Sequence, residues 1–261
     1  MASSDVLDVC SGTAVVFSRR SPDKTSFNED TAAIIRLGND AALLMVADGV
    51  GGLPAGARAS YLVIDIIHKA VKTAYNNGED LRHAILSAVE KANERIISNA
   101  DGSATTLAIA EIHKNRIRTY HVGDSMIMIT GQRGKLKMET ISHSPVGYAV
   151  EAGVLSQEEA IIHDERHIVS NVVGAQNMHI SMGIPTTLAA RDTLLVASDG
   201  LFDNIHQNEI IEIIRKGNLE DCSNTLAATA GKRMEDGVAP FKPDDLTFML
   251  FRLSKAGAKR I

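Results

Sequence analysis

The chain has 261 residues, 44% of them apolar and 23% charged, a balance that suits a folded globular protein and excludes disordered, collagenous and coiled-coil chains. Its 27 Lys and Arg against 32 Asp and Glu leave a formal charge of −5, which argues against a nucleic-acid binder driven by counterion release and suits a cation binder. No apolar run reaches the roughly 18 residues of a membrane span, and the start MASSDVLDVCSG lacks the basic and apolar stretches of a secretory signal, so a cytoplasmic chain without membrane contact is expected. Cys10 and Cys222 lie far apart with no CxxC spacing, which supports neither a disulfide framework nor a structural zinc site.

Aromatic residues are only 4% and Trp is absent, so the core must be built from Ala, Val, Ile, Leu and Met. In chain order, strand-like runs fall at 13–17 and 41–47. Apolar residues at helical spacing (Leu62, Val63, Ile66, Ile67, Ala70, Val71) then predict a helix, and Leu81, Ala84, Ile85, Ala88, Val89, Ala92 and Ile96 predict a second. The Asn76-Asn77-Gly78 turn between them makes the two antiparallel neighbours. Strands are expected again at 105–112, 116–122, 126–130, 178–182 and 193–197, helices at 208–214 and 219–234, and a last strand at 246–253. Strands, a helix pair, more strands and more helices fit antiparallel sheets with helices outside better than a regular βαβ alternation. Residues 144–171, rich in Glu and His, read as an inserted flap with a short helix at 156–160.

Acidic residues recur where an apolar strand ends and Gly stands beside them: Asp48-Gly49, Gly123-Asp124 and Asp199-Gly200. Glu29-Asp30 and Asp244-Asp245 are two further clusters. A carboxylate at a strand end is held by rigid backbone yet reaches solvent, and the adjacent Gly allows close approach of a ligand or a carbonyl. Any one Asp-Gly is an ordinary turn former. Gathered together, such groups repel unless cations lie between them, the chemistry of a site for hard ions such as Mg²⁺ or Mn²⁺.

These five motifs in this order resemble the metal-dependent type 2C protein serine/threonine phosphatases, particularly their bacterial branch, from about residue 13 to residue 253. The resemblance implies an α+β fold for residues 1–261 as one domain: a four-layer α-β-β-α sandwich of two antiparallel sheets flanked by helices, with the flap inserted. It implies that Asp48 bridges two metal ions, with the Gly49 carbonyl on one of them and Asp199 and Asp244 on the other. Glu29 and Asp30 would act through waters, and Asp124 with Asp199 would hold the third, weaker ion found in many bacterial members. Thr105 and Thr106 would sit on a buried strand without a catalytic role. The implied reaction is hydrolysis of phosphoserine or phosphothreonine by a metal-activated water, with Asp48 and Asp199 central to catalysis and a phosphoprotein, a cognate kinase or its targets as partners. Two divalent ions roughly 3.5–4 Å apart are suited to so slow a hydrolysis, because they bind phosphoryl oxygens and lower the pKa of the attacking water.

The chain departs from the family pattern in three places. Val50 stands where many eukaryotic members carry a His that is a candidate general acid. Thr25 stands where the phosphate-binding Arg is usual, leaving Lys24 as the first substitute and Arg19 or Arg20 as others; Lys would hold phosphate as a point charge. Asp245 replaces the usual Asn, and a carboxylate facing the ions there would attract cations and repel phosphate. Two rival readings are a catalytically silent metal- or partner-binding module of the same fold and a phosphatase of small metabolites.

Other motifs fail on spacing. A GxGxxG beginning at Gly49 would need Gly at position 54, which is Pro54, and no GK[ST] exists for a P-loop. In His163-Asp164-Glu165-Arg166-His167 the Glu lies midway between the His residues, unlike either zinc-protease pattern, so a solvated flap helix is expected. His121 and His143 have no partner at ligand spacing and read as ordinary polar residues.

Overall fold

The computed structural model describes residues 5–50, 55–237 and 239–254. The strands are β1 (Asp5–Val9), β2 (Gly12–Arg19), β3 (Thr31–Leu37), β4 (Ala41–Ala47), β5 (Gly49–Val50), β6 (Ala104–Thr105), β7 (Leu107–His113) and β8 (Arg116–Val122). They continue with β9 (Met126–Thr130), β10 (Leu136–Glu139), β11 (Ser181–Met182), β12 (Thr186–Thr187), β13 (Thr193–Ala197) and β14 (Leu246–Leu253). The helices are α1 (Ala55–Asn77), α2 (Leu81–Asn99), α3 (Pro145–Glu151), α4 (Gln157–Ala160), α5 (Asp199–Phe202), α6 (Gln207–Ile214) and α7 (Leu219–Asp236).

One antiparallel sheet runs β1-β2-β14-β13-β9-β10 and the other β11-β8-β7-β4-β3, with β12 also on β8. Strand β4 shows why they stack: every residue is buried, with Leu43, Met45 and Ala47 packed against α1 and α2 and Ala42, Leu44 and Val46 packed toward the other sheet. Strand β14 divides likewise, Phe248 and Leu250 lying under α6 and α7 while Met249 and Phe251 enter the inter-sheet core. Side chains alternating across a strand thus generate the expected four-layer α-β-β-α sandwich.

Helices α1 and α2 are antiparallel neighbours, and Asp80 starts the second by accepting a hydrogen bond from the His83 N–H. Five of the predicted strands keep their bounds, but β1, β3, β5, β10 and β12 are additional: β1 and β3 lie at sheet edges, and β10 pairs with β9 through a register shift. The expected strand at 105–112 breaks at Thr106, whose N–H turns to the Asp48 carbonyl at 2.8 Å, and the one at 178–182 shortens to Ser181–Met182. Within residues 144–171, Ser156 and Glu159 form a reciprocal capping box on α4. The expected helix at 163–167 is a short 3₁₀ turn, Asp164–His167, in which His163 caps the Glu165 N–H. The Gly51, Gly52 and Pro54 positions of the dinucleotide-loop test lie outside the described residues.

Candidate metal centre

Asp48 follows directly on β4, and its backbone is fixed from three directions. Its carbonyl accepts from the Thr106 N–H (2.8 Å) and the Thr105 hydroxyl (2.7 Å), while its N–H donates to Thr106 Oγ1 (3.1 Å). The two threonines expected to be bystanders therefore position this carboxylate. Gly49 lies so close to Gly56 at the start of α1 that an added Cβ would sit 2.3 Å from the Gly56 carbonyl oxygen. Helix α1 can thereby approach the site, with Glu29 Oε1 against Gly56.

The remaining carboxylates arrive on different elements. Glu29 and Asp30, 6% and 8% exposed, precede β3, and Asp30 Oδ2 accepts from the Ser198 hydroxyl at 2.8 Å. Asp124 follows β8 through Gly123, whose φ of +99° suits glycine and whose Cα faces Thr106. Asp199 opens α5, held close to Asp245 because Gly200 has no Cβ to strike the Asp245 carbonyl. Asp244 precedes β14 and accepts from the Asp245 N–H.

The electrostatics fit one shared site. Burial pushes Asp48 well above the usual carboxylate range, and the charges of Asp30, Asp199, Asp244 and Asp124 add to it. Burial likewise pushes Asp30 and Asp124 up to about 8, with Asp199 contributing to both, and Asp244 up to about 6. Within this cluster Asp199 is held low: burial pushes it up, but the Lys242 charge and hydrogen bond, with hydrogen bonds from Asp48 and the Gly200 N–H, together pull it below the usual range.

Glu29 Oε1, Asp30 Oδ1 and Asp199 Oδ1 are buried without a hydrogen-bond partner. Buried anionic oxygens are costly when unpaired, and hard oxygen donors of this kind suit Mg²⁺ or Mn²⁺. Among the described residues no three candidate side chains already converge on one point at ligand distance.

Two lysines are built into the cluster. Lys24 Nζ donates to Glu29 Oε2 and Asp245 Oδ2, both at 2.8 Å, so of the three basic residues named as phosphate candidates this one reaches the site, whereas Arg19 lies against Gly231 and Glu235 on α7. Arg20 instead donates to the Thr25 and Ser26 carbonyls and lines a surface groove beside Phe27. Asp245 does not face the other carboxylates as its sequence position suggests. It is 2% exposed, and both oxygens are taken by the Ser21 and Glu29 N–H groups and Lys24.

Lys242 and Asp203 were not singled out by the sequence, although Lys242 stands two residues before Asp244 and Asp203 one helical turn after Asp199. Nor are His121 and His143 unconnected: their rings stack at 4.3 Å, His179 lies 4.8 Å from His143, and His143 Nδ1 accepts from the Gly123 N–H, bracing the turn that carries Asp124. Both cysteines are free thiols.

A cavity of about 200 Å³ adjoins the cluster, with Asp124, Asp199 and Asp203 on one side and the flap residues Val146, Ile161 and Arg166 on the other.

The raised carboxyls carry a pH signature. An acid whose pKa is higher folded than unfolded contributes stability that is fully present below its unfolded value, about 4, and is lost as pH rises through the folded value. For Asp30 and Asp124 that window runs from about 4 to about 8. In excess EDTA the Tm is expected to fall between pH 5 and pH 8.5, and Mn²⁺ to raise it more at the alkaline end; a Tm independent of pH would contradict the assignment.

A two-sheet sandwich with a carboxylate cluster at the strand ends defines a metallohydrolase class, and comparison places the chain within it. The protein phosphatase 2C family profile matches residues 21–236. Protein phosphatase PhpP of Streptococcus pneumoniae is 32% identical over 197 residues, covering 72% of this chain and 79% of that protein. The crystal structure of the serine/threonine phosphatase Stp1 from Staphylococcus aureus superposes with a TM-score of 0.80 at 25% identity, covering 97% of this chain and 98% of that one. The catalytic domain of the phosphatase PstP, solved in complex with two manganese ions, matches at a TM-score of 0.74 and 25% identity over 93% of this chain and 98% of its own. The chain belongs to the protein phosphatase 2C family.

Proposed function

We propose that this metal-dependent phosphoprotein phosphatase hydrolyses phosphoserine and phosphothreonine in proteins at the cluster centred on Asp48 and Asp199. The observation that carries the reading is the set of buried, unpartnered oxygens on Glu29, Asp30 and Asp199 around an Asp48 raised by burial and then by its acidic neighbours. Asp48 and the Gly49 carbonyl would hold one divalent ion, Mn²⁺ or Mg²⁺, and Asp48, Asp199 and Asp244 the other. Glu29 and Asp30 would contribute through waters. Such ions supply Lewis acidity toward phosphoryl oxygens and lower the pKa of the attacking water.

The chain's own groups set the geometry. Thr105 and Thr106 lock the Asp48 backbone, and Ser198 orients Asp30. Lys24 brings a positive charge to the cluster rim, where its partly exposed ammonium can meet a phosphate oxygen. Arg20 would act only on more distant parts of a substrate. Val50 carries no proton, so the leaving oxygen takes its proton from water. A third ion, which the resemblance would place with Asp124 and Asp199, would have to share Asp199 with the Lys242 ammonium. We place the enzyme in the cytoplasm opposite a cognate serine/threonine kinase; no helix among the described residues is long and apolar enough to cross a membrane.

The flap roofs the cavity beside the cluster and is proposed to contact the protein part of the substrate. Assays of a phosphothreonine peptide, p-nitrophenyl phosphate and a sugar phosphate, with and without Mn²⁺, test the substrate class. Shortening the 144–171 segment is expected to raise KM for the peptide several-fold more than for the aryl phosphate, which needs little beyond the ions. Equal losses on both would make the segment part of the core, and a preference for the sugar phosphate would favour a metabolite phosphatase.

A further inference from the structure

Lys242 is an unusual neighbour for a divalent-cation site. Its side chain is 23% exposed, and its Nζ lies against Asp199 Oδ2, 2.8 Å from Asp203 Oδ2 and 3.5 Å from Asp244 Oδ2. The segment that carries it is pinned: the Lys242 N–H donates to Asn204 Oδ1, and Asn204 Nδ2 donates back to the Lys242 carbonyl, both at 2.8 Å. Asn204 is itself fully buried and also donates to the Gly200 carbonyl. The ammonium is thus delivered to α5 by a rigid backbone clamp.

The two oxygens of Asp199 have different environments. Oδ2 is taken by Lys242, whereas Oδ1 is buried and unpartnered, in the same cluster as the unpartnered Asp30 Oδ1. The acidic cluster therefore has a lysine-filled end, at Asp199 Oδ2 and Asp203, and an open end, at the unpartnered Asp30 Oδ1 and Asp199 Oδ1.

We propose that Lys242 is a built-in cation of the site: its ammonium group holds the Asp203 end, so that divalent ions are accepted only at the open end of the cluster. An ammonium is a compact point charge with three donors, able to bridge several carboxylates as a metal would, but permanently attached to the chain. A divalent ion brought to the same oxygens would have to displace it against like-charge repulsion. This inference rests on the metal-binding reading above and adds a limit on how many ions the chain takes.

The test counts ions. Chelator-stripped full-length protein is equilibrated with saturating Mn²⁺ by dialysis and analysed for bound metal per chain, for the parent, K242M and K242R. K242M is expected to bind one more Mn²⁺ than the parent, and K242R, which keeps the charge, the same number as the parent. Equal numbers and affinities for the parent and K242M would overturn the proposal. Should K242M fail to fold, amine modification of the parent decides it by peptide mapping. Lys242 is expected to stay protected when Mn²⁺ is saturating, and its exposure on adding Mn²⁺ would show that the ion displaces the ammonium. A parent protein that binds no Mn²⁺ overturns the underlying metal assignment instead.

Discussion

Asp48→Asn and Asp199→Asn are each expected to lower kcat on a phosphothreonine peptide by several orders of magnitude, with little activity left to either at any Mn²⁺ concentration. The same substitutions should not unfold the protein. Asp48→Asn removes a negative charge from a carboxylate that burial and its acidic neighbours raise, so it is expected to melt higher than the parent in EDTA, whereas Asp199→Asn takes a partner from Lys242 and is expected to melt somewhat lower without losing its fold. Rate lost without stability lost in Asp48→Asn would mark that group as a reacting-centre carboxylate and not as a support. Full activity in excess chelator, or activity retained by both variants, would end the metal mechanism.

Asp245→Asn is expected to act the opposite way, on stability first. The Asp245 carboxylate is the acceptor for two backbone N–H groups and for Lys24, and an amide would turn a donor toward donors. Removing one partner of a buried ion pair costs about 3–5 kcal/mol, and the retained amide oxygen puts this case at the lower end. At roughly 2–4 °C per kcal/mol for a domain of this size, the Tm should fall by about 6–12 °C. Lys24→Met combined with Asp245→Asn should not recover that loss, because Lys24 keeps Glu29 as a partner at 2.8 Å and its removal strips Glu29 of an ammonium. An unchanged Tm in the single variant would mean that Asp245 is not committed to the 21–29 loop.

These outcomes show which parts of the molecule could be read in advance. Strands 41–47, 116–122, 126–130, 193–197 and 246–253 and the helix pair were legible because burial imposes a period of 2 or 3.6 on apolar residues. Edge strands β1 and β3 were not, because an edge is half solvated and its order comes from the neighbouring strand. The five acidic motifs were legible from their strand-end positions. The direction of each side chain was not: Asp244 and Asp245 are adjacent, yet one stays in the cluster and the other turns into the 21–29 loop. Likewise the packing of His121, His143 and His179, the first two stacked and the third tilted against His143, joins β8 with the chain before residue 144 and the chain after residue 171, a proximity no spacing rule encodes.

What the sequence by itself determined is the inventory: a cation-seeking charge balance, an apolar pattern sufficient for two sheets between helices, and carboxylates set at strand ends beside glycines. Those follow from local chemistry, since propensity, periodicity and turn geometry act over a few residues. What only the tertiary structure decided is the pairing of those charges, with Lys24 assigned to Glu29 and Asp245, Lys242 to Asp199 and Asp203, and free oxygens left on Glu29, Asp30 and Asp199. Lys24 and Asp245 are 221 residues apart and Lys242 and Asp199 are 43, so their contacts exist only once β14 has docked between β2 and β13, and Coulomb energies depend on that distance in space and not on distance along the chain.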